Sequence, residues 1–578
     1  MFKKLISYLG AYRKEAILAP VLVILEVICE LIFPRLMAGI VDVGIASGNT
    51  TYIYISGLKM LALAILSMTC GVLSAKFAAT AGYGFGANLR GAMFERIQTF
   101  SFADIDGFSS ASLVTRMTND VSQLQQLVAL GLRLLARAPM MLVAALAIAI
   151  SINAKLALVL LVVIPILALS VGLLLKICSK LFKTMQQRID ALNSTVQEHL
   201  VAVRVVKAFV RADYEKEKFR KSNDSLMNAA LAAATRIILM QPVMMICLFG
   251  ATVGVLWMGG RQVLGGAMQI GDLSSFLSYI FQILFSIMML AMVLLQLSRA
   301  VACATRIFQV LDAEPAIREG KLSSDQLPAP RGKVEFDNVS FKYRAEGSGE
   351  LVLSDLDFVI EPGELIAVVG GTGTGKSSLV NLIPRFYDVT GGAVLVDGVN
   401  VQDYSLEDLR GRIGMVLQNN VLFSGTIREN LLWGKKDATE EEIARAAEDA
   451  QALEFILSFP DGMDTHVEQG GVNLSGGQKQ RLCIARAILK KPSILILDDS
   501  TSAVDTATEA KLWKAFHSNL KDTTVILIAQ RMSSMTYADR IIVLDDGKIS
   551  GIGTHEELRE RNAVYREICE SQQEGVLD

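Results

Sequence analysis

Net charge of either sign is missing from this chain: 56 Lys and Arg stand against 58 Asp and Glu, a formal charge of −2. So even a balance offers no bulk field for a polyanion, which excludes nucleic acid as an expected partner. Cysteine is sparse, and Cys29, Cys70, Cys178, Cys247, Cys303, Cys483 and Cys569 show no paired spacing, so neither a disulfide framework nor a thiolate metal site is expected. The opening MFKKLISYLGAYRKEA lacks a small-residue cleavage site behind an apolar run of signal-peptide length. Its alternating basic and apolar residues suit an amphipathic helix lying on a membrane over 1–15, or equally an ordinary helix start. Glycine and proline are absent from 180–236, so nothing there interrupts a long helix. Histidine is scarce, with only His199, His466, His517 and His555.

What is abundant is apolar sequence, 52% of 578 residues, concentrated in the first half. A membrane span needs roughly 20 mostly apolar residues. Six stretches qualify, at about 16–40, 52–77, 134–152, 156–177, 237–260 and 273–298, and the last two contain no Asp or Glu and no Lys or Arg. Lys3, Lys4, Arg13 and Lys14 precede the first stretch and 176–236 is rich in Lys and Arg, whereas 41–51 has neither. That bias places the N-terminus in the cytoplasm, and six spans return the chain to the same side. The segments joining spans two to three and four to five are long and helix-forming. At about 1.5 Å per residue they extend tens of ångströms beyond the bilayer. Their tips are expected near 109–115 and 209–214, either as levers against a soluble domain or as solvated hairpins with no mechanical role.

Glu26 and Glu30 lie one helical turn apart inside the first span. Carboxylates there are costly and face a cavity or a partner. They suit a cationic substrate or a proton, or a structural ion pair, with Arg35 for instance. Met240, Met244, Met245, Met288, Met289 and Met292 form an adaptable surface or simple packing. Pro165 and Pro242 are candidate kinks.

The expected fold class is therefore a membrane α-helical domain of six transmembrane helices with long cytoplasmic extensions (16–311), a polar linker (312–331) and an α/β P-loop nucleotide-binding domain (332–578). In the second half, KVEFDNVSF at 333–341 alternates as a strand and Asp397-Gly398 marks a hairpin turn. Gly370, Gly371, Thr372, Gly373, Thr374, Gly375, Lys376 and Ser377 spell the phosphate-binding pattern between the strand LIAVVG and the helix SSLVNLI, and Ser378 joins them as a candidate ATP-binding residue. The glycines let backbone N–H groups surround phosphates, the helix N-terminus adds positive potential, Lys376 reaches the outer phosphates of ATP and the Ser377 hydroxyl binds Mg²⁺. The apolar run SILILDD at 493–499 reads as a central parallel strand that ends on Asp498, for Mg²⁺, and Asp499, beside the attacking water.

With LSGGQKQR at 474–481 shortly before that strand, the whole chain resembles the ATP-binding cassette (ABC) family, in the arrangement of an exporter half-transporter: six spans, then one cassette. The resemblance implies that Tyr343 stacks on adenine and that Gln418 touches Mg²⁺. It implies that Asp505 crosses to a partner cassette, while Ser475, Gly476, Gly477 and Gln478 grip the γ-phosphate held by that partner. It further implies a multi-pass protein of the cell (inner or plasma) membrane, with both termini cytoplasmic and contacts to membrane lipid.

Two positions depart from the family pattern. The catalytic glutamate is replaced by Asp499, and the switch histidine by Gln530. Asp is one methylene short, and a misplacement of about 1 Å costs on the order of 10²-fold in rate. Gln530 cannot carry charge, and losing such a contact costs roughly 3–4 kcal/mol at worst. Groups that bind ATP are untouched, so affinity survives while transition-state stabilisation does not. The chain thus resembles the degenerate-site subunit of heterodimeric bacterial multidrug exporters. Its partner would be a second, non-identical half-transporter with Glu and His intact, and its cargo an amphipathic small molecule, the Met content and the intramembrane glutamates narrowing it no further than amphipathic or cationic compounds. A working homodimer, an importer of metal chelates and an ATP-gated channel or signalling subunit are the competing readings.

Overall fold

The structure, a computed structural model, describes residues 2–322, 324–343, 350–529 and 531–574. The chain forms two compact units. One comprises the residues up to Gln98 together with Ser110–Ala313, and the other comprises Thr99–Ser109 and the chain from Glu314 onward.

The first unit is helical: α1 (Phe2–Ser7), α2 (Arg13–Gly39), α3 (Thr50–Gln98), then, after α4 (Phe102–Phe108) of the other unit, α5 (Ser110–Thr115), α6 (Val121–Ile152), α7 (Ala154–Ala208), α8 (Ala212–Ile238), α9 (Met240–Leu264) and α10 (Ile270–Leu311). Among the described residues, six segments are long and apolar enough to cross a bilayer: Gly10–Ile45, Thr50–Gln98, Ser110–Ile152, Ala154–Ala208, Ala212–Leu264 and Ile270–Leu311. The α6–α7 hairpin turns on Asn153, whose Oδ1 accepts the N–H groups of Lys155 and Leu156 at 3.1 Å, so two donors at the start of α7 are satisfied. Pro242 coincides with the break between α8 and α9, while Pro165 lies inside an uninterrupted α7.

Helices α2, α3, α6 and α10 pack on one another, and α7 pairs with α8. Their core holds Val27, Leu31, Phe276, Tyr279, Ile280 and Ile283. The Tyr279 hydroxyl donates to the Leu31 carbonyl at 2.6 Å, which satisfies its polar end. Apolar side chains such as Leu161, Leu169 and Ile246 point outward, which suits lipid.

Two expectations are corrected. Glu26 and Glu30 pair with Arg137 of α6, whose guanidinium donates to both carboxylates at 2.7 Å, and Arg35 instead lies 3.5 Å from Asp272. The first tip, the reversal between α3 and α5, is formed by α4, ahead of the 109–115 expected for it. Ser101 and Asp104 form a capping box, which starts a separate short helix before the chain ascends at Ser110. Asp104 also accepts the Ala316 N–H at 3.2 Å, Phe102 stacks on Phe386 at 4.2 Å, and Tyr387 Oη donates to Asp106 Oδ2 at 2.8 Å. The second reversal falls between Ala208 and Ala212, inside the expected window.

In the second unit, strands β1 (Val334–Phe341), β2 (Leu353–Ile360), β4 (Gly391–Val396) and β5 (Val399–Asn400) form an antiparallel sheet in the order β2-β1-β4-β5. The β4–β5 turn has Asp397 at φ 52 and Gly398 at φ 81, the positive values that a tight hairpin requires. Strands β3 (Leu365–Gly370), β6 (Ile413–Val416), β9 (Ile494–Asp498), β10 (Thr524–Ile528), β11 (Arg540–Asp545) and β12 (Lys548–Gly553) make the central sheet, in the order β12-β11-β3-β10-β9-β6. Only β12 runs antiparallel in it. Two short strands, β7 (Gly425–Thr426) and β8 (His466–Val467), pair beside it. Every residue of β9 and β10 is buried, as their unbroken apolar runs require.

Candidate nucleotide site

Parallel register brings the motifs together. Strand β10 lies between β3 and β9, with Ile528 level with both Val368 and Asp498, and Val416 at the end of β6 is level with Leu497. The loops after β3, β6, β9 and β10 therefore open at one edge, the carboxyl ends of the strands, where α/β sheets bind ligands. These loops carry Gly370–Ser377, Gln418, Asp499 and position 530. Gln530 itself lies outside the described residues.

After β3 the chain turns through Gly373 (φ 86) and Gly375 (φ 94) and enters α11 (Lys376–Leu382). A side chain at Gly375 would be strained twice over. Its φ is left-handed, and a Cβ would sit 2.7 Å from Leu353 Cδ2. A Cβ at Gly373 would meet open space, so backbone conformation alone demands glycine there. Lys376 Nζ donates to the carbonyls of Gly370 and Gly371 at 3.0 and 2.6 Å, and the Thr374 hydroxyl donates to the Gly371 carbonyl at 3.0 Å, which shapes the loop. Gly371 and Thr372 are exposed at its crest.

Ser377 Oγ lies 3.1 Å from Asp498 Oδ1. A hydroxyl and a buried carboxylate converging at the mouth of a phosphate loop are hard oxygen donors that fit Mg²⁺, with Gln418 in the neighbouring loop after β6. Burial pushes the Asp498 carboxyl above its usual range, opposed by the Ser377 bond, and Asp499 adds to the rise. Burial likewise holds the Lys376 ammonium below its ordinary value, offset by Asp498 and Asp499. Clustered charges that disfavour their own ionised forms are poised for a charged ligand.

Asp499 takes the left-handed conformation (φ 50) that Asp tolerates better than most residues. Burial raises its carboxyl too, against a hydrogen bond from the Gln418 side chain. Tyr343 donates to or accepts from Ser378 Oγ at 2.7 Å and meets Tyr387 edge-on at 5.1 Å. Its ring remains 46% exposed, which leaves a face for a base.

The signature stands apart. Ser475 caps the helix Gly476–Leu489, and Gln478 closes the capping box by accepting the Ser475 N–H at 2.9 Å. No hydrogen bond joins Ser475, Gly476, Gly477 or Gln478 to the phosphate loop among the described residues, and all but the half-buried Gly477 and Gln478 are exposed. Asp505 caps the helix Thr506–Asn519 through the Thr508 N–H at 3.0 Å, and its bonds to Thr508 hold its carboxyl below the usual range.

Sequence reasoning missed two residues that fix the loop between Asp499 and Asp505. Arg531 donates to the carbonyls of Val504 and Ser502 at 2.7 and 2.5 Å. Gln480 donates to Ser502 Oγ at 3.2 Å and accepts the Ala503 N–H at 2.9 Å. The adjacency of Arg531 to position 530 was the available signal.

Comparison with known proteins agrees with this geometry. Residues 16–288 match the family described as the ABC transporter transmembrane region, and 353–502 match the ABC transporter family. The uncharacterised ABC transporter ATP-binding protein YfiB of Bacillus subtilis is 40% identical over 99% of this chain and 98% of its own length. An ATP-dependent lipid A-core flippase of Desulfotalea psychrophila is 35% identical over 88% of this chain and 89% of its own. A bacterial Atm1-family ABC exporter, solved with ATP bound, superposes with a TM-score of 0.81 at 25% identity, covering 97% of this chain and 99% of that one.

Proposed function

This chain belongs to the ATP-binding cassette transporter family, with an exporter-type membrane domain and a transport-coupled ATPase domain, and from that premise we propose that it is the degenerate-site subunit of a heterodimeric exporter of amphipathic compounds. One observation carries the reading. The binding elements, Lys376, Ser377 and Asp498, are in place around a formed phosphate loop, while the carboxylate beside them is the short Asp499, tied to Gln418. ATP is then gripped by the loop and by Tyr343. Ser377, Asp498 and Gln418 would hold Mg²⁺, which would supply neutralisation of phosphate charge. Asp499 orients water poorly. The signature residues Ser475, Gly476, Gly477 and Gln478, with Asp505, complete the second site, which the partner supplies with Glu and His.

The lipid A-core flippase relative supports an amphipathic cargo. The excess of Lys and Arg in 176–236 supports cytoplasmic termini in a cell membrane. ATP closure of the cassettes would reach the membrane domain through α4, which is already seated on Phe386 and Tyr387.

The test is purification of this chain alone in lipid nanodiscs. It binds Mg-ATP, turns it over slowly, and gains brisk turnover when co-assembled with a half-transporter carrying both Glu and His. Brisk hydrolysis by the chain alone refutes the proposal.

A further inference from the structure

A cavity of about 370 Å³ lies among α2, α6 and α10, walled by apolar side chains that include Leu130, Met141, Phe281 and Phe285. Three charged side chains reach it: Glu30, Arg133 and Arg137. Their bonding capacity is unequally spent. Both oxygens of Glu30 accept from Arg137 Nη2 at 2.7 Å, and Arg137 Nη1 is given to Glu26 at 2.7 Å. Glu26 does not line the cavity. It sits against α3, where a Cβ at Gly71 would lie 3.1 Å from its Oε1. Arg137 thus occupies both oxygens of Glu30 and Oε1 of Glu26, while Glu26 Oε2, away from the cavity, is buried without a hydrogen-bond partner.

Arg133 is different. It lies one turn before Arg137 on α6 and forms no ion pair among the described residues, and its Nε is buried without a hydrogen-bond partner. Gln282 of α10 also lines the cavity, with its Oε1 buried and unpartnered. A buried donor on a cation and a buried acceptor on an amide are both costly to leave unmet. The Arg133 guanidinium and the Gln282 amide both line the cavity, and a headgroup that is anionic and carries a hydroxyl matches the two together. An alkyl chain on that headgroup matches the apolar wall.

We propose that this cavity binds an amphipathic anion, with an acidic oxygen on Arg133, a hydroxyl donating to Gln282 and the chain along the apolar wall. The proposal rests on the exporter reading and deepens it: the cargo's charge is negative, opposite to the bias read from Glu26 and Glu30.

The experiment measures binding of radiolabelled dodecyl phosphate, whose monoanion keeps a P–OH, and of dodecyltrimethylammonium. Both are applied to the full chain in zwitterionic nanodiscs, with empty discs subtracted. The phosphate is expected to bind saturably and more tightly than the ammonium. Arg133→Gln should weaken it about tenfold, Arg133→Lys should retain most affinity, and ammonium binding should not change. Gln282→Leu should weaken the phosphate several-fold. Mg-ATP binding by each variant verifies the nucleotide-binding unit, and an unchanged thermal midpoint in nanodiscs verifies the membrane unit that carries the cavity. Tighter binding of the ammonium, or an unchanged phosphate affinity in ATP-competent Arg133→Gln and Gln282→Leu chains, overturns the proposal. Neither result bears on the heterodimer, which the ATPase rate of the single chain decides separately.

Discussion

If reach is what limits hydrolysis, restoring one methylene should restore rate. Asp499 lies just past β9 at φ 50 and is engaged by Gln418. Asp499→Glu lengthens the side chain by about 1 Å, the misplacement associated with a loss on the order of 10²-fold. Two costs oppose the gain. Glu tolerates the left-handed backbone less well than Asp, by about 1 kcal/mol, but that strain is common to ground and transition states and falls on stability. The Gln418 bond must also re-form at greater length. The net expectation is a rise of roughly 10–10²-fold in kcat with KM for ATP little changed, because Lys376 and Ser377 are untouched. Adding Gln530→His should raise it further, though not multiplicatively, since both residues serve one reacting centre. The assay is initial phosphate release by purified chain in nanodiscs, with Lys376→Ala as the background. A flat kcat in a correctly folded Asp499→Glu, Gln530→His chain would show that the site is limited by something other than its two departures.

Three other outcomes follow from single contacts. Arg137→Ala leaves two carboxylates unpaired within the membrane unit, which should cost about 3–5 kcal/mol, read as a lower thermal midpoint in nanodiscs. Adding Glu26→Gln and Glu30→Gln should recover much of it. Asp106→Ala removes the acceptor for Tyr387, whose phenol is pushed up by burial and by that carboxylate. Opening of α4 should become easier by about 1 kcal/mol, seen as roughly fivefold faster amide exchange there at unchanged ATP affinity. Glu442, held at about 2 by Lys435 and Lys491, contributes stability that is fully present above its ordinary 4.5 and lost as pH falls toward 2. Glu442→Gln should flatten the acid-unfolding profile of the full chain, followed by tryptophan fluorescence, in that window.

Much of the site was legible because its chemistry is local. A phosphate loop needs glycines at set offsets between a strand and a helix, so eight consecutive letters defined it, and φ 86 and φ 94 at Gly373 and Gly375 give the reason. The six spans were legible because lipid imposes length and composition on each helix by itself. Even the turn at Asn153 and the hairpin at Asp397-Gly398 announce themselves within a few residues. The two tips were separated by the same rule. The second falls where the helix simply stops, whereas the first depends on a Ser101–Asp104 capping box, readable in principle but overshadowed by the glycine and serines just beyond it.

What stayed hidden is long-range pairing. Arg137 meets Glu26 and Glu30 from 111 and 107 positions away, and Arg531 reaches back 27 to hold Val504. Nothing in helical periodicity ranks Arg137 over Arg35 as their partner, because both are cations on apolar helices. Only the packing of α2 on α6 decides it, and the same packing decides which guanidinium at the cavity keeps a carboxylate partner. Had Arg35 taken the glutamates, two guanidiniums on α6 would have lacked carboxylate partners. With Arg137 committed, Arg133 is the one guanidinium at the cavity without a carboxylate partner among the described residues. The expected sign of the cargo therefore turns on one helix–helix contact, which is why a carboxylate pair inside a span is weak grounds for a cationic substrate until its counter-ion is known.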